Sequence, residues 1–322
     1  MSEINERGES TLTVVELPTV EVPIPSVIAL GFFDGCHTGH RTLLRETVRR
    51  ARAMHLESAV FTFSDEGIKA GALRIYSLED RLETFRRMGI EKVYLASFES
   101  LRNLSPEWFV KTVLVEMCGA KWAVSGPDFR FGKNAAGGPD TLAALMRRQG
   151  SGTTVLPPVL DRGEKVSSTS IRRALESGDM ERAGRMLGEA YHLTLPVLHG
   201  KGLGHTLGFP TANQAPAHGR LLPGRGVYRT ETEVDGTVYP SLTNVGLRPT
   251  VEKADGVNVE THLIGYQGDL YGKTVTVRFL QFLRPERRFD SVDALKAQLE
   301  EDVRRVLAKS SREEKAEDKK EN

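Results

Sequence analysis

The most constraining feature of this 322-residue sequence is a change of hydrophobic rhythm between its two halves. Through the first half, short apolar runs alternate with helix-like stretches: Val27 to Leu30, a helix from about His40 to Met54, Ser58 to Phe63, a helix around Leu78 to Met88, then Lys92 to Leu95. That alternation predicts parallel strands with crossover helices, an α/β domain whose ligands collect at the carboxyl ends of the strands. Further helices are expected over Pro139 to Gln149, after the glycine-rich "FGKNAAGGPD", and from "VSSTSIRRAL". From about Leu195 the pattern becomes alternating β-branched and polar residues broken by glycine. "GVYRTETEVDGTVYPSL" reads as a hairpin turning at Asp235-Gly236, and "VNVETHLIGY" and "LYGKTVTVRFLQFL" add strands, so this all-β half is expected to form a small antiparallel barrel or sandwich. Val292, Leu295, Leu299, Val303 and Leu307 recur at helical spacing behind Asp290 and Ser291, which predicts one closing helix. The domain boundary falls near Met186 to Leu195, giving domains 1–188 and 189–308 and a charged tail, 309–322, expected to be disordered.

Charge and cysteine usage exclude several classes. Lysine and arginine number 44 against 43 acidic residues, so no global field exists to hold a polyanion, and nucleic acid is not an expected partner. No apolar run is long enough to span a bilayer, and "MSEINERGES" lacks a basic-then-apolar leader pattern, so a soluble, cytoplasmic protein is expected. Cys36 and Cys118 form no CxxC pair, which suits a reducing compartment and excludes a zinc site built from cysteines alone.

"GFFDGCHTGH", Gly31 to His40, places Cys36, His37 and His40 within one turn at a strand-to-helix junction. A metal site would need three or four converging ligands, and no fourth donor is near in sequence. An exposed turn with incidental histidines is the bland reading. The third reading is an anion site: a helix start offers unpaired N–H groups, imidazoles can donate to phosphate oxygens, and Gly39 allows close backbone approach. "KVSSTSIRR" favours the third. Ser167, Ser168 and Thr169 present hydroxyls at a second helix start, with Arg172 one turn on and Lys165 just before. Two such helix mouths at one sheet edge favour a nucleotide.

These motifs, with "GPDFRFGKNAAG", "HGKGLGHTLGFPTAN", "GVY", "NVGLRPT", "VETHL", "GDLYG" and "FLRPE", occur in order from about residue 27 to about residue 305. The chain resembles the bifunctional riboflavin kinase/FMN adenylyltransferase family. The resemblance implies a Rossmann-like HxGH nucleotidyltransferase domain followed by a β-barrel riboflavin kinase domain. It implies ATP, riboflavin and FMN as substrates, FAD as product and Mg2+ as cofactor. In the first domain, ATP would be held by Gly31, Phe33, Asp34, His37, His40, Lys165, Ser168, Thr169 and Arg172, with the two histidines acting in catalysis. Asp128, Phe129 and Arg130 would line the flavin side. In the second, Gly200, Gly202 and Gly204 would cradle ATP phosphates, although a GxGxG string read alone is equally a mobile hairpin loop. Thr211 and Asn213 would serve magnesium and phosphate, Glu260 would be the general base, and Arg284 would contact flavin. A weak homo-oligomer is compatible with this reading.

The sequence departs from the family after the second strand, where relatives continue "TF" into a segment ending His-Pro and this chain reads "FTFSDEGIKAGALRIY". Arg81 replaces the usual lysine of the next helix, and Gly265-Tyr266 replaces Asp-Phe after "VETHL". A kinase with an altered transferase half, and a non-catalytic flavin- or nucleotide-binding regulator, are the competing readings.

Overall fold

The computed structural model describes residues 12–64, 73–199, 208–214, 216, 219–247 and 257–321. They form two compact units, Met1–Ser168 and Thr169–Asn322.

The first unit contains β1 (Thr13–Leu17), β2 (Ser26–Leu30), α1 (Thr38–Met54), β3 (Glu57–Phe63), α2 (Leu78–Arg87), β4 (Lys92–Ala96), α3 (Phe98–Leu101), α4 (Pro106–Trp108), β5 (Ala120–Ser125), α5 (Pro139–Arg148) and β6 (Gly152–Val155). A π-helix, Phe109–Met117, continues directly from α4. A small hairpin, β7 (Leu160–Asp161) with β8 (Glu164–Lys165), precedes α6, which starts at Ser168. The six larger strands pair in the order β1-β4-β3-β2-β5-β6, all parallel. All five residues of β2 are buried, as expected of a strand covered on both faces. Ile28 and Leu30 pack with Phe109, Val113 and Leu142 in one cluster. Val27 and Ala29 face the other way, toward Leu44 and Val48 of α1 and Phe85 of α2. From β2 the chain adds β3 and β4 on one side and then β5 and β6 on the other. The order therefore reverses between β2 and β5, where the carboxyl ends of a parallel sheet leave a crevice.

In the second unit, α6 (Ser168–Glu176) and α7 (Met180–Leu187) lead into β9 (Tyr191–Leu198), β10 (Ala212–Gln214), β11 (Gly226–Val234), β12 (Thr237–Leu247), β13 (Val257–Leu263) and β14 (Thr274–Arg284). These strands close an antiparallel barrel in the order β10-β13-β12-β11-β14-β9. The two helices are tied to the barrel. Gly224 N–H donates to the Leu175 carbonyl at 2.8 Å, and a Cβ at Gly178 would meet the Phe282 ring at 3.1 Å.

Tyr191, Tyr228 and Phe279 are fully buried and form one aromatic group. Beside them runs a chain of buried hydroxyls: Thr230 Oγ1 to Thr243 Oγ1 at 2.8 Å, Thr243 to Thr261 at 3.0 Å, then Thr261 to Gln214 Oε1 at 3.4 Å. Each hydroxyl is satisfied only when the strands keep their pairing, so the chain resists slippage as well as filling space.

The closing helix α8 (Val292–Glu321) sets Val306 against Val227 and Leu242. It also continues through the segment expected to be disordered. Glu, Lys, Arg and Ala are good helix formers, so a helix nucleated by its docked part extends without apolar residues to hold it. Among the described residues no helix is long and apolar enough to cross a membrane. Thr243→Val keeps side-chain shape but strips two buried neighbours of a partner, and should cost about 1–3 kcal/mol in a urea titration. An unchanged midpoint would show that the hydroxyl chain contributes nothing.

Candidate active sites

In the first unit a cavity of about 480 Å³ opens at the reversal between β2 and β5. Its lining joins Gly31, Phe32, His37, Gly39 and His40 from after β2, Gly126 to Arg130 from after β5, and Lys165 to Ser168 from the approach to α6. The loop after β2 turns sharply through positive φ at Phe33, Gly35 and Cys36 before α1 begins. His37 caps that helix, its Nδ1 accepting from His40 N–H at 3.2 Å. An accepting Nδ1 leaves the ring proton of the neutral imidazole on Nε2. The two rings stack at 3.6 Å between centroids, and Phe33 meets His40 edge-on at 5.1 Å. Gly39 leaves room for this stack, since a Cβ there would sit 3.1 Å from the His37 ring and press on it.

Burial lowers the pKa of His37 from 6.5 to about 4. Burial, then His37 and Arg81, hold His40 well below the usual imidazole range. Both rings are therefore neutral at pH 7. His40 Nδ1 is buried without a hydrogen-bond partner among the described residues.

Several of the expected ligands also have partners within the protein. Phe33 is fully buried between His40 and Phe85, and Phe32 lines the cavity instead. Asp34 is buried, its carboxylate accepting from Ile75 N–H at 3.0 Å and Tyr76 N–H at 3.4 Å. Both residues shape the loop from beneath, and the contact to the second motif is made by backbone: Ser168 Oγ donates to the Asp34 carbonyl at 3.0 Å. Lys165 and Asp128 line the cavity as an ion pair. Phe129 stacks on Phe131 at 5.5 Å, and Arg130 donates to the Phe129 carbonyl. Thr169 and Arg172 lie on the first turns of α6, Thr169 exposed and Arg172 half-buried.

Arg81 was legible only as a retained charge. Fully buried, it donates to the carbonyl of Phe32 at 3.0 Å, to Thr62 Oγ1 at 3.2 Å and to the Phe63 carbonyl at 3.2 Å, with its guanidinium 5.0 Å from the Phe32 ring. It fastens the ends of β2 and β3 to each other. The altered segment after β3 falls largely on residues 65–72, outside the described residues.

In the second unit a cavity of about 330 Å³ is lined by Thr211, Asn244, Glu260, His262, Arg284 and Glu286 among others. Strand register sets its centre: Glu260 of β13 lies opposite Asn213 of β10 on one side and Asn244 of β12 on the other. Asn258 Nδ2 donates to Glu260 Oε1 at 2.7 Å and to Asn213 Oδ1 at 3.3 Å, which orients both. Asn258 precedes Glu260 by two residues and shares its strand face, a period-two signal that the sequence carried unused. Asn244 Nδ2 donates to Glu286 Oε1 at 3.2 Å, and Gly246 leaves room for that carboxylate, which a Cβ there would meet at 2.0 Å and displace.

Arg284, expected to contact flavin, lines the cavity but commits its Nε and Nη2 to Asp302 Oδ2 at 2.9 and 2.7 Å. Asp302 is fully buried on α8, so the pair fixes the helix to β14. Thr211 also lines a neighbouring cavity of about 480 Å³ with Pro210, Tyr266, Leu270 and Tyr271. Gly200, Gly202 and Gly204 lie outside the described residues.

Known proteins match this arrangement in both halves. A family model described as FAD synthetase matches residues 20–170, and one described as riboflavin kinase matches residues 187–309. A Pseudomonas fluorescens protein named bifunctional riboflavin kinase/FMN adenylyltransferase is 36% identical over 282 residues, 86% of this chain and 90% of the relative. Proteins of the same name from Listeria monocytogenes serovar 1/2a and Escherichia coli K12 are 32% and 33% identical, over 87% and 86% of this chain and 90% of each relative. A solved structure titled as a macrolide-efflux protein from Streptococcus pneumoniae is similar at a TM-score of 0.82 and 31% identity, covering 91% of this chain and 98% of that one. With both halves matched, in this order and over most of each relative's length, the chain belongs to the bifunctional riboflavin kinase/FMN adenylyltransferase family.

Proposed function

We propose that this protein phosphorylates riboflavin with ATP to give FMN and ADP, and adenylylates FMN with a second ATP to give FAD and pyrophosphate. The observation that carries the reading is the presence, in one chain, of a neutral histidine pair at the reversal of a parallel sheet and a carboxylate held between asparagines in a barrel cavity.

In the adenylyl transfer, a phosphate oxygen of FMN attacks the α-phosphorus of ATP in line, and the bond to pyrophosphate breaks. No protein nucleophile is needed, so positioning and charge stabilisation carry the rate. His37, with its proton on Nε2, is a preorganised donor to a phosphate oxygen whose charge grows in the transition state. Ser168 and the first N–H groups of α1 would supply further donors, and Lys165 would add to the ATP site. Phe129 and Phe32 offer aromatic surface to a flavin, beside Asp128 and Arg130.

In the kinase step, Glu260 takes the proton from the ribityl 5′-hydroxyl as that oxygen attacks the γ-phosphorus, and ADP leaves. Asn258 occupies one carboxylate oxygen and leaves the other for the proton. Thr211 borders both barrel cavities, which suits a phosphoryl group passing between a flavin in one and a nucleotide in the other. The hydroxyl of Thr211 and the amide oxygen of Asn213 are hard, neutral donors that would hold a Mg2+ ion, whose contribution would be to neutralise phosphate charge. The cytoplasm, where these substrates are made and used, suits the free thiols Cys36 and Cys118.

Glu260→Gln should lower FMN formation about 10²–10⁴-fold with riboflavin affinity much less changed; an unchanged rate would remove Glu260 from the role of base. His37→Ala should depress FAD formation from supplied FMN and spare FMN formation, whereas equal loss of both would contradict two separate sites. The histidine environment also predicts a pH dependence of stability. Because His37 has a lowered folded pKa, its contribution is complete above about pH 6.5 and is lost as pH falls from there through about 4. By about pH 5 its share of the loss should be about 2 kcal/mol. His37→Asn, which keeps a helix-capping side chain, should flatten the fall in urea midpoint between pH 7.5 and 5. Equal slopes for the two proteins would contradict a buried neutral imidazole.

A further inference from the structure

We infer that His262 is a positioning residue of the kinase step, holding the Pro210 carbonyl through Nδ1–H and thereby fixing the peptide that presents Thr211. The inference rests on the kinase reading above.

The register shows why such an anchor is needed. Pairing between β10 and β13 runs through Gln214↔Val259, Asn213↔Glu260 and Ala212↔Thr261, and there it stops. The next residues, Thr211 and His262, lie just past the end of that ladder. Thr211 borders both barrel cavities, yet no backbone bond between these strands fixes it. The His262 side chain supplies one. Its Nδ1 lies 2.8 Å from the Pro210 carbonyl oxygen. A carbonyl only accepts, so this nitrogen carries the proton.

Peptide planarity turns that bond into a constraint on Thr211. The Pro210 oxygen and the Thr211 nitrogen share one rigid plane, so anchoring the oxygen orients the Thr211 N–H and Cα together. The following carbonyl, of Thr211, accepts from Asn213 Nδ2 at 3.5 Å. Two successive peptides are thus tied to side chains of the site. The imidazole also meets the Phe209 ring at 5.4 Å between centroids and 68° between planes. His262 follows Glu260 by two residues on the same strand face. One rigid strand therefore carries both the proposed base and the anchor for the proposed phosphate ligand, and the spacing between Glu260 and Thr211 follows from it.

The ring contact and the hydrogen bond separate in two variants of the full chain. His262→Asn places an amide N–H where Nδ1 stood and discards most of the ring contact with Phe209. His262→Phe keeps the ring and discards the donor. In steady-state FMN formation at saturating riboflavin, His262→Asn should stay within about 3-fold of the parent in kcat and in KM for ATP. His262→Phe should raise that KM about 10-fold and lower kcat about 10-fold, a size typical of displaced positioning groups. A partly unfolded barrel would lower kcat in proportion to the folded fraction and leave KM unchanged, so the rise in KM distinguishes positioning from loss of fold. Parent-like kinetics in His262→Phe, a fall in kcat alone, or equal impairment of the two variants would each overturn the inference. If the parent protein itself forms no FMN, the kinase reading fails instead.

Discussion

The parallel sheet of the first unit depends on what happens where its hydrogen bonding stops. At the carboxyl ends of β2 and β3 the buried guanidinium of Arg81 collects the carbonyls of Phe32 and Phe63 and the hydroxyl of Thr62. A buried cation is costly unless its donors are satisfied. Here the two terminal nitrogens find partners at the strand ends themselves, so placing Arg81 and fixing the loop are one event. The loop then turns through Asp34, which is fastened to the amides of Ile75 and Tyr76. It delivers His37 and His40 as a stacked, neutral pair at the mouth of α1. The barrel meets the same problem with a different side chain: where the β10–β13 ladder ends, His262 captures the Pro210 carbonyl.

Electrostatics differ between the two sites in a way that follows their chemistry. Adenylyl transfer requires donors for a phosphate whose charge grows, and the first site offers neutral imidazoles, a hydroxyl and helix N–H groups, with the Asp128 carboxylate paired to Lys165. The acidic side chain in its loop, Asp34, is turned inward and spent on backbone amides. Transfer to a hydroxyl requires a proton acceptor, the role proposed for Glu260, one of whose oxygens is held by Asn258 in the second site. The placement of carboxylates, more than the presence of basic groups, separates the two halves.

Much of this was legible in the sequence because it is periodic or local. The βα rhythm gave the parallel sheet, the Asp235-Gly236 hairpin gave a barrel turn, and HxGH announced a helix mouth. β1, β5 and β6 were not read, since short strands flanked by loops carry little periodic signal. What a side chain does when buried was also hidden. Phe33 and Asp34 sit inside the motif yet serve the loop, whereas Phe32 reaches the cavity. Arg284 sits in "FLRPE" yet pairs with Asp302, 18 residues away on α8. These assignments depend on partners distant in sequence, which no local pattern encodes. The helix running through Glu321 is obscured for the opposite reason, because its polar composition reads as disorder while its residues are strong helix formers.

The central claim is that one chain performs two chemically distinct transfers in sequence from riboflavin. The most direct measurement supplies the purified protein with riboflavin, magnesium and ATP labelled distinguishably at its α- and γ-phosphorus, and locates both labels in the isolated flavins. The account predicts γ label in FMN, and FAD carrying the γ label in its flavin-side phosphate and the α label in its adenylyl phosphate. Flavin that acquires γ label but never α label, even with excess FMN added, would contradict it.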